Sequence, residues 1–122
     1  MARILIVDDS PSQLMGIRRI VEKLGHEALT AEDGAAGVEA AKRELPDLIL
    51  MDVQLPKISG LDATRTLKSD PRTRDIPIIV ITSFALSGDR EKAAAAGATR
   101  YLAKPYSPRE LLAMVREILP ET

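Results

Sequence analysis

The sequence predicts an α/β fold built around a parallel sheet, and two observations lead to that prediction. Short apolar runs alternate along the chain with longer amphipathic stretches, as in chains that pass repeatedly between strand and helix. Three of these runs, Ile4–Val7, Leu48–Met51 and Ile78–Ile81, are continuously apolar, which is typical of central strands covered by helices on both faces. At 122 residues, the chain is expected to form one domain over residues 1–122.

Five strands are predicted, each followed by a helix. In chain order they span Arg3–Val7, Glu27–Ala31, Leu48–Met51, Ile78–Ile81 and Tyr101–Ala103.

Capping residues mark the first two helices. Ser10 is a suitable N-cap with Pro11 at the first helical position, and Gly25 ends this helix. Its apolar stripe consists of Leu14, Ile17, Val21 and Leu24. Asp33 caps the second helix, which ends before Pro46 and carries Val38, Ala41 and Leu45 on its apolar side.

The other three helices are predicted from similar start, stop and apolar residues. The third starts near Gly60, carries Leu61, Thr64 and Leu67, and stops before Asp70-Pro71. The fourth runs from about Ser87-Gly88-Asp89 through Ala93–Ala96 and ends at Gly97. Ser107-Pro108 begins a fifth, whose apolar residues are Leu111, Leu112, Val115, Ile118 and Leu119. Because crossovers are right-handed, five such units favour the doubly wound, flavodoxin-like (βα)5 sandwich with strand order 2-1-3-4-5.

Composition narrows the possible functions. The net charge of -1 gives no indication of a nucleic-acid or membrane partner. The chain has no cysteine, which excludes disulfides, thiol catalysis and thiolate metal sites. The apolar run after Met1 is too short for a signal peptide or a membrane span, so we expect a cytoplasmic protein.

Polar residues stand at the carboxyl ends of four predicted strands. The first strand is followed by Asp8-Asp9, the third by Asp52, the fourth by Thr82 and the fifth by Lys104. In an open parallel sheet these ends meet where the strand order reverses, which brings three carboxylates together. Clustered carboxylates repel one another unless a cation lies among them, and Mg²⁺ favours such oxygen ligands.

A carboxylate nucleophile surrounded by a metal site, a hydroxyl and a lysine suits phosphoryl transfer. Each residue also has a structural interpretation. The acid pair can close a strand and favour the next helix N-terminus, and Asp52, Thr82 and Lys104, taken singly, are more often structural or solvated. Their joint placement at corresponding strand ends favours the functional interpretation.

The motifs at these strand ends resemble the receiver domain of bacterial response regulators, and the similarity covers essentially the whole chain. They are Ile4–Ser10, Asp47–Pro56 with Gly60, Pro77–Thr82 and Gly97–Pro105.

The resemblance implies a role for each site residue. Asp52 would take a phosphoryl group from a sensor histidine kinase or a histidine phosphotransfer protein. Thr82 and Lys104 would contact that group, and Lys104-Pro105 would be a cis peptide, which an X-Pro bond permits. Gln54 and Phe84 would tune the lifetime of the phosphoryl group.

A magnesium site is implied as well, with Mn²⁺ as a possible substitute. Its ligands would be Asp9, Asp52 and the Val53 carbonyl, with Asp8 acting through water. The chain would catalyse only its own phosphorylation and dephosphorylation, and it is not expected to be an enzyme otherwise.

The aromatic residues indicate an output surface. Phe84, Tyr101 and Tyr106 are the only aromatics, and all lie between the fourth strand and the fifth helix, so the core must be almost wholly aliphatic. Aromatics grouped outside the core favour a switch or contact surface, although they could simply fill local gaps. In the family, Tyr101 matches an aromatic that swings inward as Thr82 moves. The alanine-rich fourth helix is expected to dock weakly and to shift readily.

The first helix is expected to meet the phosphodonor, because it flanks the acidic site. Met15 lies off its apolar stripe, and Gly16 is unfavourable in a helix interior. Close approach of a partner helix would explain both, and a merely tolerated glycine is an equal alternative. His26 is interpreted as a surface turn residue.

Other functions fit these residues less well than phosphoryl acceptance does. An aspartate-nucleophile phosphatase needs a second acid two residues after its nucleophile, where Gln54 stands. A nucleotide-binding protein needs a glycine-rich loop after the first strand, where Asp8-Asp9-Ser10-Pro11 stands. A pseudo-receiver that never takes phosphate is disfavoured by the complete acid, hydroxyl and lysine set.

We therefore expect a single-domain regulator, monomeric or weakly dimeric, that acts on a downstream protein target. It resembles cell-cycle and cell-polarity regulators, with chemotaxis and pilus-motility regulators second. A phosphate sink and a receiver trimmed from a larger regulator are the alternatives.

Overall fold

The computed structural model describes residues 2–82 and 89–119, and over these ranges strands and helices alternate as predicted. The strands are β1 (Arg3–Val7), β2 (Glu27–Ala31), β3 (Leu48–Asp52), β4 (Ile78–Thr82) and β5 (Arg100–Ala103). The helices are α1 (Pro11–Lys23), α2 (Gly34–Glu44), α3 (Gly60–Ser69), α4 (Asp89–Ala96) and α5 (Pro108–Ile118). None of these helices is long and apolar enough to cross a membrane.

The five strands form one parallel sheet in the order β2-β1-β3-β4-β5, which confirms the predicted topology. Strands β3 and β4 each continue one residue further than predicted, because Asp52 pairs with Ile81 and Thr82 pairs with Ala103. Asp52 and Thr82 are therefore the last residues of their strands, and strand pairing fixes their backbones.

The core has two layers, one on each face of the sheet. Alternate strand residues point to opposite faces, as in any pleated strand. The buried side chains that α1 and α5 supply are large, namely Leu14, Ile17, Val21, Leu111 and Val115. Those from α2, α3 and α4 are mostly alanines, namely Val38, Ala40, Ala41, Ala63, Leu67 and Ala93. No aromatic residue is buried among the described residues, as the composition predicted.

Small residues let α2 approach β1 and the loop before α3 closely. A Cβ atom added to Gly37 would lie 2.9 Å from both γ-carbons of Val7, and one added to Gly34 would lie 2.5 Å from the carbonyl oxygen of Ile58. Such distances are below van der Waals contact, so side chains other than glycine do not fit there without displacement.

Helix starts follow the predicted caps. The side chains of Ser10 and Asp33 accept hydrogen bonds from the backbone N–H groups of Gln13 and Ala36, respectively. Helix α5 begins with a complete capping box between Ser107 and Glu110.

Leu45 corrects the predicted end of the second helix. It was expected on the apolar side, but α2 ends at Glu44 and Leu45 adopts a left-handed C-cap conformation with φ 46°. This conformation turns its side chain away from the core, and the residue is 54% exposed. The helical periodicity that placed it inside no longer applies once the backbone leaves the helix.

Helix α4 contributes little to the core. Ala93 and Ala96 are its buried residues among those described, so its buried contacts with the sheet come from small methyl groups. Ser87 and Gly88, which were expected to begin this helix, lie outside the described residues.

Candidate functional site

The sheet register brings the predicted polar residues to one edge. Val7 pairs with Met51, so the residues that follow them, Asp8 and Asp52, emerge side by side. Thr82 ends the neighbouring strand on the other side of β3. Asp8, Asp52 and Thr82 are each at most 5% exposed. Polar groups at this depth need specific partners, because water cannot solvate them.

Three carboxylates converge at this edge. Asp8, Asp9 and Asp52 each offer one oxygen atom, and these atoms all lie within 4.8 Å of one another. The backbone N–H of Ser10 donates to Asp8 Oδ1 at 2.9 Å, and the N–H of Gln54 donates to Asp52 Oδ1 at 3.1 Å. These bonds orient the two buried carboxylates.

The electrostatics of Asp8 reflect this crowding. Burial raises the pKa of its carboxyl above the ordinary value, and the negative charges of Asp52 and Asp9 add to the effect. The hydrogen bond from Ser10 and the charge of Lys104 act in the opposite direction. Burial and the neighbouring carboxylates therefore both disfavour the charged form of Asp8, an effect that a bound divalent cation would oppose.

Lys104 supplies the positive charge of the site. Its ammonium Nζ lies 3.3 Å from Asp52 Oδ2, and the two side chains are only 15% and 6% exposed. The Lys104-Pro105 peptide that follows β5 is cis. The same Nζ donates a second, shorter hydrogen bond to Gln13 Oε1 at 2.7 Å. Gln13 was not among the predicted site residues, because an exposed glutamine in the first turn of a helix carries no local sign of such a role.

The Val53 carbonyl, predicted as a metal ligand, has a protein partner. It accepts the N–H of Gly60 at 2.9 Å, which ties the start of α3 to the end of β3. A Cβ atom added to Gly60 would lie 1.9 Å from the carbonyl oxygen of Asp52. The first residue of α3 thus rests directly on the backbone of the central aspartate.

The two described aromatics have different neighbours. Tyr106 is half-buried beside the acidic cluster, and its pKa is raised by burial and by the charges of Asp8 and Asp52. Tyr101 is half-buried on β5, and the guanidinium carbon of Arg90 lies 5.5 Å from the centre of its ring. Phe84 lies outside the described residues.

The chemistry of the donor set fits a hard divalent cation. The cluster consists of carboxylate oxygens, with no sulfur or imidazole ligand among the described residues within it. Mg²⁺ and Mn²⁺ both favour such oxygen ligands, and Mg²⁺ usually keeps several waters and binds through a few carboxylates. Asp9 is exposed while Asp8 and Asp52 are buried, so the cluster opens to solvent on one side.

Comparison with known proteins places this site in a family. The family model for the response regulator receiver domain matches residues 4–116. Protein PilH of Pseudomonas aeruginosa is 42% identical over 119 residues, which covers 98% of both chains. The polar-differentiation response regulator DivK of Brucella anthropi is 36% identical over 116 residues, covering 95% of this chain and 94% of DivK.

Two solved structures are also similar to this chain. The receiver domain of the sensor histidine kinase PA1611 from Pseudomonas aeruginosa superposes with a TM-score of 0.90 at 37% identity and 98% coverage of both chains. That structure holds a magnesium ion in its active site cleft. The chemotaxis protein CheY4 of Vibrio cholerae superposes with a TM-score of 0.90 at 29% identity, covering 97% of this chain and 98% of CheY4.

Proposed function

Because the chain belongs to the response regulator receiver domain family, we propose that Asp52 is the residue that accepts the phosphoryl group. The observation that supports this assignment is the surroundings of its carboxylate. Asp52 is 5% exposed, with two further carboxylates on one side and the Lys104 ammonium on the other. Among the described residues of this cluster, Asp52 is the carboxylate that forms the ion pair with Lys104.

The residues around Asp52 have different roles in phosphoryl transfer. An Asp52 oxygen attacks phosphorus as the bond from phosphorus to the donor breaks, which leaves an acyl phosphate and the free donor. Lys104 neutralises a phosphoryl oxygen, and the Thr82 hydroxyl donates to another. Preorganised charges of this kind supply most of the catalysis in phosphoryl transfer.

The acidic cluster is proposed to hold Mg²⁺, with Mn²⁺ as a substitute. Asp9 and Asp52 would bind the ion directly and Asp8 would act through water. The Val53 carbonyl keeps one lone pair beside its bond to Gly60, so it can complete the set, but the proposal rests on the carboxylates. When bound, the ion neutralises charge on the phosphoryl oxygens.

The phosphoryl donor is proposed to be a sensor histidine kinase or a histidine phosphotransfer protein that docks on α1. Met15 is 57% exposed there, and Gly16 has open space where a side chain would be. An exposed apolar residue beside a glycine suits close approach by a partner helix. We propose that the chain meets this donor in the cytoplasm.

The output is proposed to be a change in the α4, β5 and α5 surface, read by a protein target. The switch residues are Thr82 and Tyr101, with Phe84 and Tyr106 as neighbours in sequence. A chain that only drains phosphate from its donor, acting as a phosphate sink, is the second candidate. In both cases the chain would catalyse only its own phosphorylation and dephosphorylation. We also propose that residues 1–122 form one receiver domain and that it is monomeric or weakly dimeric.

The decisive experiment is incubation with Mg²⁺ and acetyl phosphate, followed by intact mass spectrometry. The chain has no tryptophan, so a fluorescence assay based on that residue does not apply. The unaltered chain should gain one phosphoryl group, and Asp52→Asn should gain none. The matched control is Asp62→Asn, because Asp62 is an exposed carboxylate on α3 outside the cluster, and it should be phosphorylated normally.

The same assay detects two other possibilities, a pseudo-receiver and an acceptor other than Asp52. Absence of a mass shift with any donor would indicate a pseudo-receiver. A shift that persists in Asp52→Asn would place the acceptor elsewhere.

A further inference from the structure

We propose that Gln13 is a positioning residue that holds the Lys104 ammonium for phosphoryl transfer. This inference rests on the proposed role of Asp52 and adds a residue to that site. Gln13 acts through Lys104 and does not touch the reacting carboxylate.

Distances around the ammonium carry the inference. Lys104 Nζ lies 2.7 Å from Gln13 Oε1 and 3.3 Å from Asp52 Oδ2. The amide is therefore the closer partner, although the carboxylate bears the opposite charge. Lys104 is 15% exposed in its side chain, whereas Gln13 is an exposed residue. The ammonium is held between α1 and the end of β3.

The backbone of Gln13 is itself fixed. Its N–H donates to the Ser10 side chain at 3.4 Å, and Pro11 restricts the first helical turn. A glutamine in this turn reaches across to a residue 91 positions later in the chain. The contact therefore depends on the cap that starts α1.

The chemistry of the amide suits this role. An ammonium has three N–H donors, and Gln13 and Asp52 use two of them, which leaves one for a phosphoryl oxygen. The lysine side chain is flexible, so a second anchor limits where its charge can move. A neutral amide supplies that anchor without adding a fourth negative charge to a site that already holds three.

Removal of the amide should slow phosphorylation. In Gln13→Met, which keeps the length and loses the acceptor, Nζ can either pair fully with Asp52 or turn to solvent. Both outcomes leave it poorly placed for the incoming phosphoryl oxygen. Because this hydrogen bond is exposed, we expect the loss of an ordinary hydrogen bond, which corresponds to a rate decrease of roughly 2- to 10-fold.

A double-mutant cycle tests the mechanism. The rate of Asp52 phosphorylation by acetyl phosphate with Mg²⁺ is measured by intact mass for the unaltered chain, Gln13→Met, Lys104→Met and the double variant. The expected result is a slower rate for Gln13→Met and no additional effect of that change when Lys104 is already methionine. The control Lys23→Met alters an exposed residue in the last turn of α1 and should keep the original rate.

Two results of this cycle would overturn the inference. One is an unchanged rate in Gln13→Met, and the other is an equal effect of Gln13→Met in both backgrounds, which would show that Gln13 acts independently of Lys104. If the unaltered chain is not phosphorylated on Asp52, the proposed function fails as well. If it is phosphorylated and Gln13→Met matches it, only the positioning role fails.

A second measurement reads the contact without any phosphorylation. The Lys104 ammonium, held by two acceptors, should give a resolved ¹⁵N–¹H NMR signal in the unphosphorylated chain, and Lys104→Met assigns it by its disappearance. The signal should be lost or strongly broadened in Gln13→Met while the unfolding midpoint stays the same. An unaltered signal in that variant would contradict the contact.

Discussion

Gly60 is the position at which one added methyl group should do most damage to the proposed site. In Gly60→Ala the new Cβ would lie 1.9 Å from the Asp52 carbonyl oxygen, 2.7 Å from its carbonyl carbon and 2.8 Å from Val53 Cα. Real Cβ atoms essentially never lie within 3.0 Å of a heavy atom from a residue outside their immediate chain neighbourhood. The start of α3 and the end of β3 must therefore separate by about 1 Å.

The magnitude follows from what the methyl group meets. Overpacking a core costs about 1–3 kcal/mol when side chains can adjust. Here the obstructing atoms belong to the backbone of a central strand, so we expect a loss of about 3 kcal/mol. The hydrogen bond from the Gly60 N–H to the Val53 carbonyl would be strained by the same shift.

Urea denaturation followed by circular dichroism measures this loss. With a slope of roughly 2 kcal/mol per molar, a loss of about 3 kcal/mol lowers the unfolding midpoint by about 1.5 M. The displaced Asp52 backbone should also slow phosphorylation by acetyl phosphate, measured on the fraction that stays folded.

Gly16→Ala is the matched control, because it makes the same chemical change in a helix. A Cβ atom there meets nothing within 4 Å, and alanine is favoured over glycine in a helix interior by about 0.5–1 kcal/mol. The midpoint should therefore rise. A midpoint for Gly60→Ala within about 0.3 M of the original, or a fall for Gly16→Ala, would refute this reasoning.

Four further predictions concern the ion, the buried acid and two helices. Saturating Mg²⁺, at about 100 times its Kd, should stabilise the unaltered chain by about 2.7 kcal/mol in thermal unfolding, and Asp9→Asn should lose most of that gain. With EDTA present, Asp8→Asn should raise the free energy of unfolding at neutral pH, because burial raises the pKa of Asp8 and so favours its protonated form. The stability that the protonated form contributes is fully present below the unfolded-state pKa of about 3.9 and is lost as pH rises through the folded-state pKa. In urea titrations at acid pH, Asp8→Asn should therefore have no greater free energy of unfolding than the unaltered chain. Leu45→Gly should raise the urea midpoint by an amount equivalent to about 1 kcal/mol, because φ is 46° at this exposed position. Backbone amides of α4 should exchange with deuterium faster than those of α1, since the buried side chains of α4 among the described residues are alanines; equal protection would show that α4 is firmly docked.

The fold and the centre of the site could be predicted because their signals are local. Caps such as Ser10 and Asp33 mark helix starts, and the apolar runs mark the strands. Once the strand order is known, the residues that follow those strands must meet, which brings Asp8, Asp52 and Lys104 together. Few topologies satisfy the right-handed crossover rule, so a short list of local features was sufficient.

Features that depend on exact distances could not be predicted. The contact of Gln13 with Lys104 joins residues 91 positions apart, and many exposed glutamines have the same sequence context. The exposure of Leu45 depends on a single backbone dihedral at a helix end. The closeness of Gly60 to the Asp52 carbonyl depends on how near α3 lies to the sheet, and no periodicity records that distance.

The unequal layers on the two faces of the sheet determine how this sequence can vary. Where Gly34 and Gly37 bring α2 close to its neighbours, a library of substitutions should be filtered by side-chain volume, so that serine and alanine are tolerated better than leucine or methionine. Beneath α1 and α5, where the buried helix residues are large, the filter should be polarity, so that leucine, isoleucine and methionine exchange readily. A deep mutational scan read by selection for folded protein should therefore separate the two faces of one sheet by the kind of residue that each rejects.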